Sequence, residues 1–286
     1  MSNNLRPYQW QLGGLVFGEH TKYPVLGVNI QTYNVNNQDH QISQSNETRM
    51  GKDTLQAGPI TFTMGVFDNA PVGYGYDTLP DDLILKSSKL LTALQREWKA
   101  DDVRQRWGAL KPLIYCDGYG VVRQIYGRPR KFTYTRKRRG SHFHKVTAEY
   151  ARIDTLTYTD VEYAASLTDG AEPVGFTRDG GDAPAWYRVL LEGPQTNPLV
   201  IVGEDQIHLQ TVIAEGVTVE VNSYPWSRRI VDTNSINRRT TLIGNSKYLD
   251  QLTIPAGESV PMSWVATGTT SASACRVLWR DAHNTV

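Results

Sequence analysis

His142 and His144 stand two residues apart in a stretch with strand character, so both imidazoles share one face and offer two of the ligands a zinc ion takes. No third or fourth ligand is suggested nearby, so the pair reads as part of a solvated hairpin arm and no metal is expected. Asp179-Gly-Gly-Asp182 carries the Asp and Gly of a calcium loop but lacks the alternating oxygen ligands and closing glutamate, and reads as a hinge. Glycoside hydrolysis needs two carboxylates converging on one bond. The Asp and Glu residues here fall in loops and on strand faces opposite the apolar ones, and no pair stands out. G-x-S-x-G, H-E-x-x-H and a Cys–His pairing are all absent, and Gly13-Gly-Leu-Val-Phe-Gly18 lacks the Lys-Ser/Thr of a phosphate loop. The expectation is a chain with no catalytic residue and no cofactor.

Two features invite binding instead. Arg128, Arg130, Lys131, Arg136, Lys137, Arg138 and Arg139 put seven positive charges within twelve residues, with Phe132 and Tyr134 interleaved. Three readings are open: a nucleic-acid hairpin, a protein-docking hairpin, or a solvated tip whose aromatics face a core. The second feature is tryptophan in the C-terminal half. Trp264 and Trp279 alternate with apolar neighbours and read as core, whereas Trp226, in Ser223-Tyr-Pro-Trp-Ser227, is the candidate exposed platform for a sugar ring.

These residues must be positioned mostly by strands. Pro24–Tyr33 is β-branched and partly alternating. After a polar stretch, Asn34–Asn46, the run Pro59–Phe67 places Ile60, Phe62, Met64 and Val66 on one face and Thr61 and Thr63 on the other. Pro80-Asp-Asp82 then opens the one convincing helix, with Leu83, Leu90, Leu91, Leu94 and Trp98 on one stripe. Asp101-Asp102 starts a short second helix that Gly108 ends. Strands resume at Leu113–Cys116 and Val121–Tyr126, followed by a long hairpin, Lys131–Thr135 returning as Phe143–Ile153. Val146, Ala148 and Tyr150 alternate there with Lys145, Thr147 and Glu149.

Residues 166–184 are rich in Gly, Pro, Asp and Thr without periodicity and read as a linker between domains at 1–165 and 185–286. Strands are expected beyond it at Trp186–Leu191, Leu199–Val202, Ile207–Ile213, Val217–Val221, Thr240–Ile243, Val260–Ala266 and Cys275–Arg280. Roughly eight strands in about 100 residues without a helix is the pattern of a β-sandwich or jelly roll.

Composition narrows the class. The chain has 286 residues, 40% of them hydrophobic and 21% charged, which fits folded domains. A formal net charge of +1 provides no global attraction to nucleic acid or membrane, so a basic surface must be local. Cys116 and Cys275 are too few and too far apart for a secreted disulfide framework and are expected as reduced core thiols. The N-terminus lacks a charged and apolar leader, and no stretch reaches the ~18 apolar residues of a membrane helix. The expectation is a protein made and kept in a cytoplasm.

The order of elements resembles the distal tail (minor tail) proteins of long-tailed bacteriophages, those of actinobacterial phages in particular. Three stretches carry the resemblance. They are Glu47–Asp53 with Gly58–Phe67; the Leu83–Trp107 helix with Leu113–Gly120 and Arg128–Lys131-Phe132; and Val217–Val231 with Leu249–Glu258. The likeness implies an N-terminal β-sandwich carrying one helix and a long hairpin, then a galectin-like or jelly-roll C-terminal sandwich. It further implies a hexameric ring at the virion tail tip, joining the tail tube to tape-measure, baseplate and other tail-tip proteins. The outer domain would hold those neighbours or touch host cell-wall glycan, with no membrane and no specific nucleic acid as partner. A closed ring needs a heterologous interface. The polar loop from Asn34 to Lys52 and the basic hairpin are its expected seat, and substituting Arg136 to Arg139 by Glu is expected to block assembly. The alternative is a carbohydrate-binding adhesin acting through the C-terminal sandwich.

Overall fold

The computed structural model describes residues 4–41, 48–67, 81–136 and 143–284. The chain is mainly β and divides into two compact units between Thr157 and Tyr158.

In the first unit, Leu15–Gly18, Gln9–Leu12, Leu113–Cys116 and Val122–Ile125 lie side by side in that order. The first two are joined by a tight turn with Gly13 at φ 57, so the glycine run that could suggest a phosphate loop is a hairpin. A second sheet has the order Gly127–Arg136, His144–Arg152, Ile60–Val66, Val25–Ile30, antiparallel at every step. Its inner face is the one the alternation indicates: Ile60, Phe62, Met64, Val146, Ala148 and Tyr150 are all fully buried. Opposite them stand Trp10, Leu12, Phe17 and Leu113 of the first sheet.

The Asp81–Lys99 helix closes this core with Leu91, Leu94 and Trp98. Trp98 meets Phe17 and Phe62 edge-on, and its indole N–H donates to the carbonyl of Glu149 at 3.0 Å. The buried Ala100, at φ 49, breaks the helix, and a short turn of helix, Asp101–Arg104, follows. That second helix stops well before Gly108, whose positive φ turns the chain toward Leu113.

Two expectations change here. The polar stretch after Tyr33 is no simple loop, because Tyr33–Asn36 pairs with Thr54–Ala57 as a two-stranded ribbon, extended by His40–Gln41 with Thr48–Arg49. His144 is not on a solvated arm: it is in phase with Val146, Ala148 and Tyr150 and is buried with them. His142 lies outside the described residues. Among the described residues, no group of three or more His, Cys, Asp and Glu side chains is placed to hold a metal ion.

In the second unit, one sheet runs Tyr163–Leu167, Ala274–Trp279, Ala185–Glu192, Thr218–Asn222, Arg229–Asp232. The other runs Val174–Thr177, Ser259–Thr267, Gln195–Val202, Asp205–His208. Both contribute to one apolar core, with Val189, Leu191, Val221 and Val277 from the first sheet and Val200, Ile207, Met262 and Trp264 from the second. Cys275 is buried in that core and Cys116 in the first unit, both as free thiols. Burial raises the pKa of each thiol above its usual value, with Asp117 adding to the rise at Cys116.

The 166–184 segment is a correction to the expected linker. Tyr163–Leu167 pairs with Ala274–Trp279 and Val174–Thr177 pairs with Ser259–Thr267, so it feeds both sheets. The loop after Thr177 wraps a buried guanidinium, that of Arg178. It donates to Asp281 Oδ1 at 2.9 Å and to the carbonyls of Ile254 (2.7 Å), Ala183 (3.1 Å) and Gly180 (3.2 Å). Asp179-Gly-Gly-Asp182 therefore surrounds an arginine, and a side chain at Gly180 would collide with Asp281. The expected strand at Thr240–Ile243 is instead a 3-10 turn, Arg239–Thr241.

Candidate assembly interface

The second sheet of the first unit ends in two unlike edges. Val25–Ile30 forms one of them, with no charged residue in Val-Leu-Gly-Val-Asn-Ile and with Leu26 and Val28 exposed. Beside it runs a groove of about 410 Å³ lined by Tyr8, Trp10 and Tyr115 among others, with the acidic residues Glu19 and Asp117 also in its lining. The opposite edge is Gly127–Arg136, the first arm of the basic hairpin. A bulge between Pro129 and Phe132 interrupts its pairing with His144–Arg152, and the exposed Arg130 and Lys131 lie in that bulge. Proline suits an edge because it has no N–H to offer the ladder.

The structure sorts the basic cluster into different roles. Arg128 is turned inward: Nη2 donates to the carbonyl of Arg106 at 2.8 Å and Nε to that of Ala109, pinning the loop before Leu113. Arg104, not singled out by sequence, does similar work, donating through Nη2 to Pro129 O at 3.2 Å and Arg130 O at 3.4 Å. Arg136 ends the strand, and Lys137, Arg138 and Arg139 lie outside the described residues. Of the interleaved aromatics, Phe132 packs against the core and Tyr134 is nearly half exposed.

The outward face of this sheet is short and polar. Thr133, Thr147 and Thr63 stand in one cross-strand row that ends at Gly27, and Glu149 faces Thr61 and then Asn29 in the next. Alternation assigned these threonines to the outside, but only the strand order lines them up into a continuous surface.

Trp226, the sugar-platform candidate, is half-buried. Tyr224 stacks on one face of its ring at 4.8 Å with the planes 8° apart, and Tyr158 meets it edge-on at 4.9 Å. Beside it, Tyr224 Oη donates to Glu162 Oε1 at 3.1 Å, and Arg188 bridges Glu162 (2.6 Å) to Glu220 (3.1 Å). Burial together with Glu162 raises the phenol pKa of Tyr224 strongly. Arg188 and Glu220 stand on adjacent strands, and Tyr224 and Glu162, just outside the strands, complete the set, so these groups satisfy one another.

Solved structures share the fold along almost the entire chain. The crystal structure of the SPP1 Dit protein, described as a paradigm of the hub adsorption apparatus in phages infecting Gram-positive bacteria, matches with a TM-score of 0.61 at 14% identity. The match covers 96% of this chain and 98% of that one. The chain is similar in fold to SPP1 Dit from end to end. The phage P2 baseplate in its activated conformation with Ca contains a chain matching at TM-score 0.53 and 11% identity, over 97% of this chain and 99% of that one. The Sr form of the phage p2 baseplate gives 0.53 at 10% identity, over 94% and 97%. No family model and no curated protein matches the chain.

Proposed function

We propose that this chain is a non-enzymatic structural component of a phage tail tip, a hub that assembles as a homo-oligomeric, hexameric ring and joins the tail tube to baseplate and tape-measure proteins. The observation that carries the reading is the agreement in fold with SPP1 Dit over nearly the full length of both chains, both units included.

The two edges of the Val25–Ile30 to Gly127–Arg136 sheet support the same reading on physical grounds. An uncharged strand edge with exposed apolar residues is open to addition of another strand, whereas an edge carrying Arg130 and Lys131 repels a copy of itself. The basic edge can instead meet the uncharged one, flanked by Glu19 and Asp117. That contact is head-to-tail, and a head-to-tail contact closes into a ring when its rotation permits. Under cyclic symmetry every copy keeps the same strand directions. Because the four strands alternate in direction, Val25–Ile30 of one copy then runs antiparallel to the 131–136 part of the Gly127–Arg136 strand of the next, the carbonyls of Gly127, Pro129 and Arg130 being taken already by Lys111 and Arg104. The sheet continues from copy to copy, and its threonine-rich face becomes a continuous polar wall.

Sedimentation and negative-stain imaging of the purified chain test this reading. Wild type is expected to form sixfold rings, and Arg130→Glu with Lys131→Glu is expected to shift the population to smaller species at the same concentration. A wild type that stays monomeric at high concentration and is absent from tail tips in the virion would sink the proposal.

A further inference from the structure

Beyond the strand edges, the ribbon of Tyr33–Asn36 and Thr54–Ala57, which overlaps the segment expected to take part in the ring, has an apolar side that its polar composition does not suggest. Its register pairs Tyr33 with Ala57 and Val35 with Leu55, and Asn34 with Gln56 and Asn36 with Thr54. Directly paired residues point to the same side of a sheet. One face is therefore Tyr33, Val35, Leu55 and Ala57, and the other is entirely amide and hydroxyl. The apolar face is bare: Tyr33, Val35 and Leu55 are 53%, 50% and 63% exposed. A two-stranded ribbon has no core of its own and is marginal in water, so an apolar face of this kind calls for a cover.

The ribbon is nevertheless firmly rooted. The buried Arg152 guanidinium donates through Nε to Gly58 O at 2.9 Å and through Nη2 to Gln31 O at 2.7 Å and to Thr32 O, gripping both strands at the base. Burial lowers the pKa of Arg152, though Asp154 works against the drop. Gly58 allows the strands to approach there, since a side chain would run into Gln31. The arm is thus presented from a fixed base.

A second bare apolar group lies at the other edge. Trp107 is wholly exposed. It sits on a short loop fixed by the two Arg128 bonds to Arg106 and Ala109, and by Lys111 N donating to Gly127 O at 2.9 Å. Tryptophan is among the residues most enriched at interface hot spots, and this one is held out on a pinned loop. Within one chain, arm and Trp107 leave each other uncovered. Between copies the strand directions bring them together. If Val25–Ile30 runs antiparallel to the next copy's Gly127–Arg136, its Ile30 end lies at the Gly127 end, and the arm, starting three residues past Ile30 at Tyr33, continues over the Trp107 loop.

The geometry points to a second copy of this chain as the cover: the apolar face of the arm, Tyr33, Val35 and Leu55, packs on Trp107 of the adjoining copy. This rests on the ring reading and adds to it a latch outside the strand edges. The apolar cover and the rooted arm account together for two solvent-exposed features that neither unit's own core uses.

The test uses Val35→Glu with Leu55→Glu, and separately Trp107→Ala, in the full chain. Since all three side chains are at least half exposed, circular dichroism should be unchanged. Assembly should weaken by about 30-fold or more in concentration, the range expected for losing an interface anchor. Mixing Val35→Cys chains with Trp107→Cys chains under mild oxidation should give a disulfide-linked heterodimer, because Cys116 and Cys275 are buried and take no part. Rings from the Val35→Glu/Leu55→Glu chain at wild-type concentrations, or no mixed disulfide within wild-type-like rings, would overturn the latch and leave the ring standing. A wild-type chain that forms no ring would overturn both.

Discussion

Arg178 takes a full charge into the second sandwich, where its side chain is 1% exposed and its ion pair with Asp281 is 2.9 Å long. Such a pair contributes little net stability compared with apolar residues, but halving it leaves a buried charge alone. Arg178→Met should therefore destabilise the second unit by about 3–5 kcal/mol, read as a lower denaturant midpoint by tryptophan fluorescence. Replacing both partners, Arg178→Met with Asp281→Leu, should recover part of that loss. Arg152 presents the same physics at the root of the arm. Arg152→Met leaves the carbonyls of Gln31, Thr32 and Gly58 without their donor, at a cost of about 1–3 kcal/mol for each one that water does not reach. Hydrogen exchange should accelerate in 31–36 and 54–58 first.

At the scale of elements, the Asp81–Lys99 helix depends on Trp98, which contacts the aromatic cluster and caps the Glu149 carbonyl. Trp98→Ala is expected to cost about 3–5 kcal/mol, a large buried side chain replaced by a cavity, and to detach the helix, read as lost far-ultraviolet ellipticity at moderate denaturant. The sheet of the second unit carries a charged ladder. Burial raises the pKa of Glu220, but hydrogen bonds from Arg229, Asn222 and Arg188 outweigh it and hold the carboxyl below its ordinary value of 4.5. A folded pKa below the unfolded one adds stability that is complete above about 4.5 and fades as pH falls through the folded value. Denaturant midpoints should be flat from neutral pH down to about 5 and drop below it, and Glu220→Gln should make that drop smaller.

For the whole molecule, the proposed ring makes charge the selector of which edge meets which. Arg130 and Lys131 are exposed, so in the proposed ring their attraction to the Glu19 and Asp117 side of another copy would act through solvent and be screened. Raising salt from about 0.05 to about 0.5 M should weaken wild-type assembly, and the Arg130→Glu/Lys131→Glu chain should lose that sensitivity. Sedimentation across a salt series reads both.

Alternation alone determined much of this protein. Ile60, Phe62 and Met64, or Val146, Ala148 and Tyr150, can bury one side of a strand only if that side faces a core, so class, helix and most strands are written in local pattern. The same alternation runs through His144, whose burial a chemical reading of the histidine pair hides. Local pattern carries no information on pairing partners, and there the tertiary structure decided. Residues 166–184 look like a linker because Gly, Pro and Asp break periodicity, yet their short strands gain partners far along the chain, Ser166 opposite Arg276 and Thr177 opposite Ser259. Arg128 sits in a basic run but turns inward because the carbonyls of Arg106 and Ala109 lie within its reach. The arm is polar by composition, and its apolar face exists only because register sets Val35 against Leu55. Register and strand order are long-range properties of the folded chain, and they determine which residues form a surface.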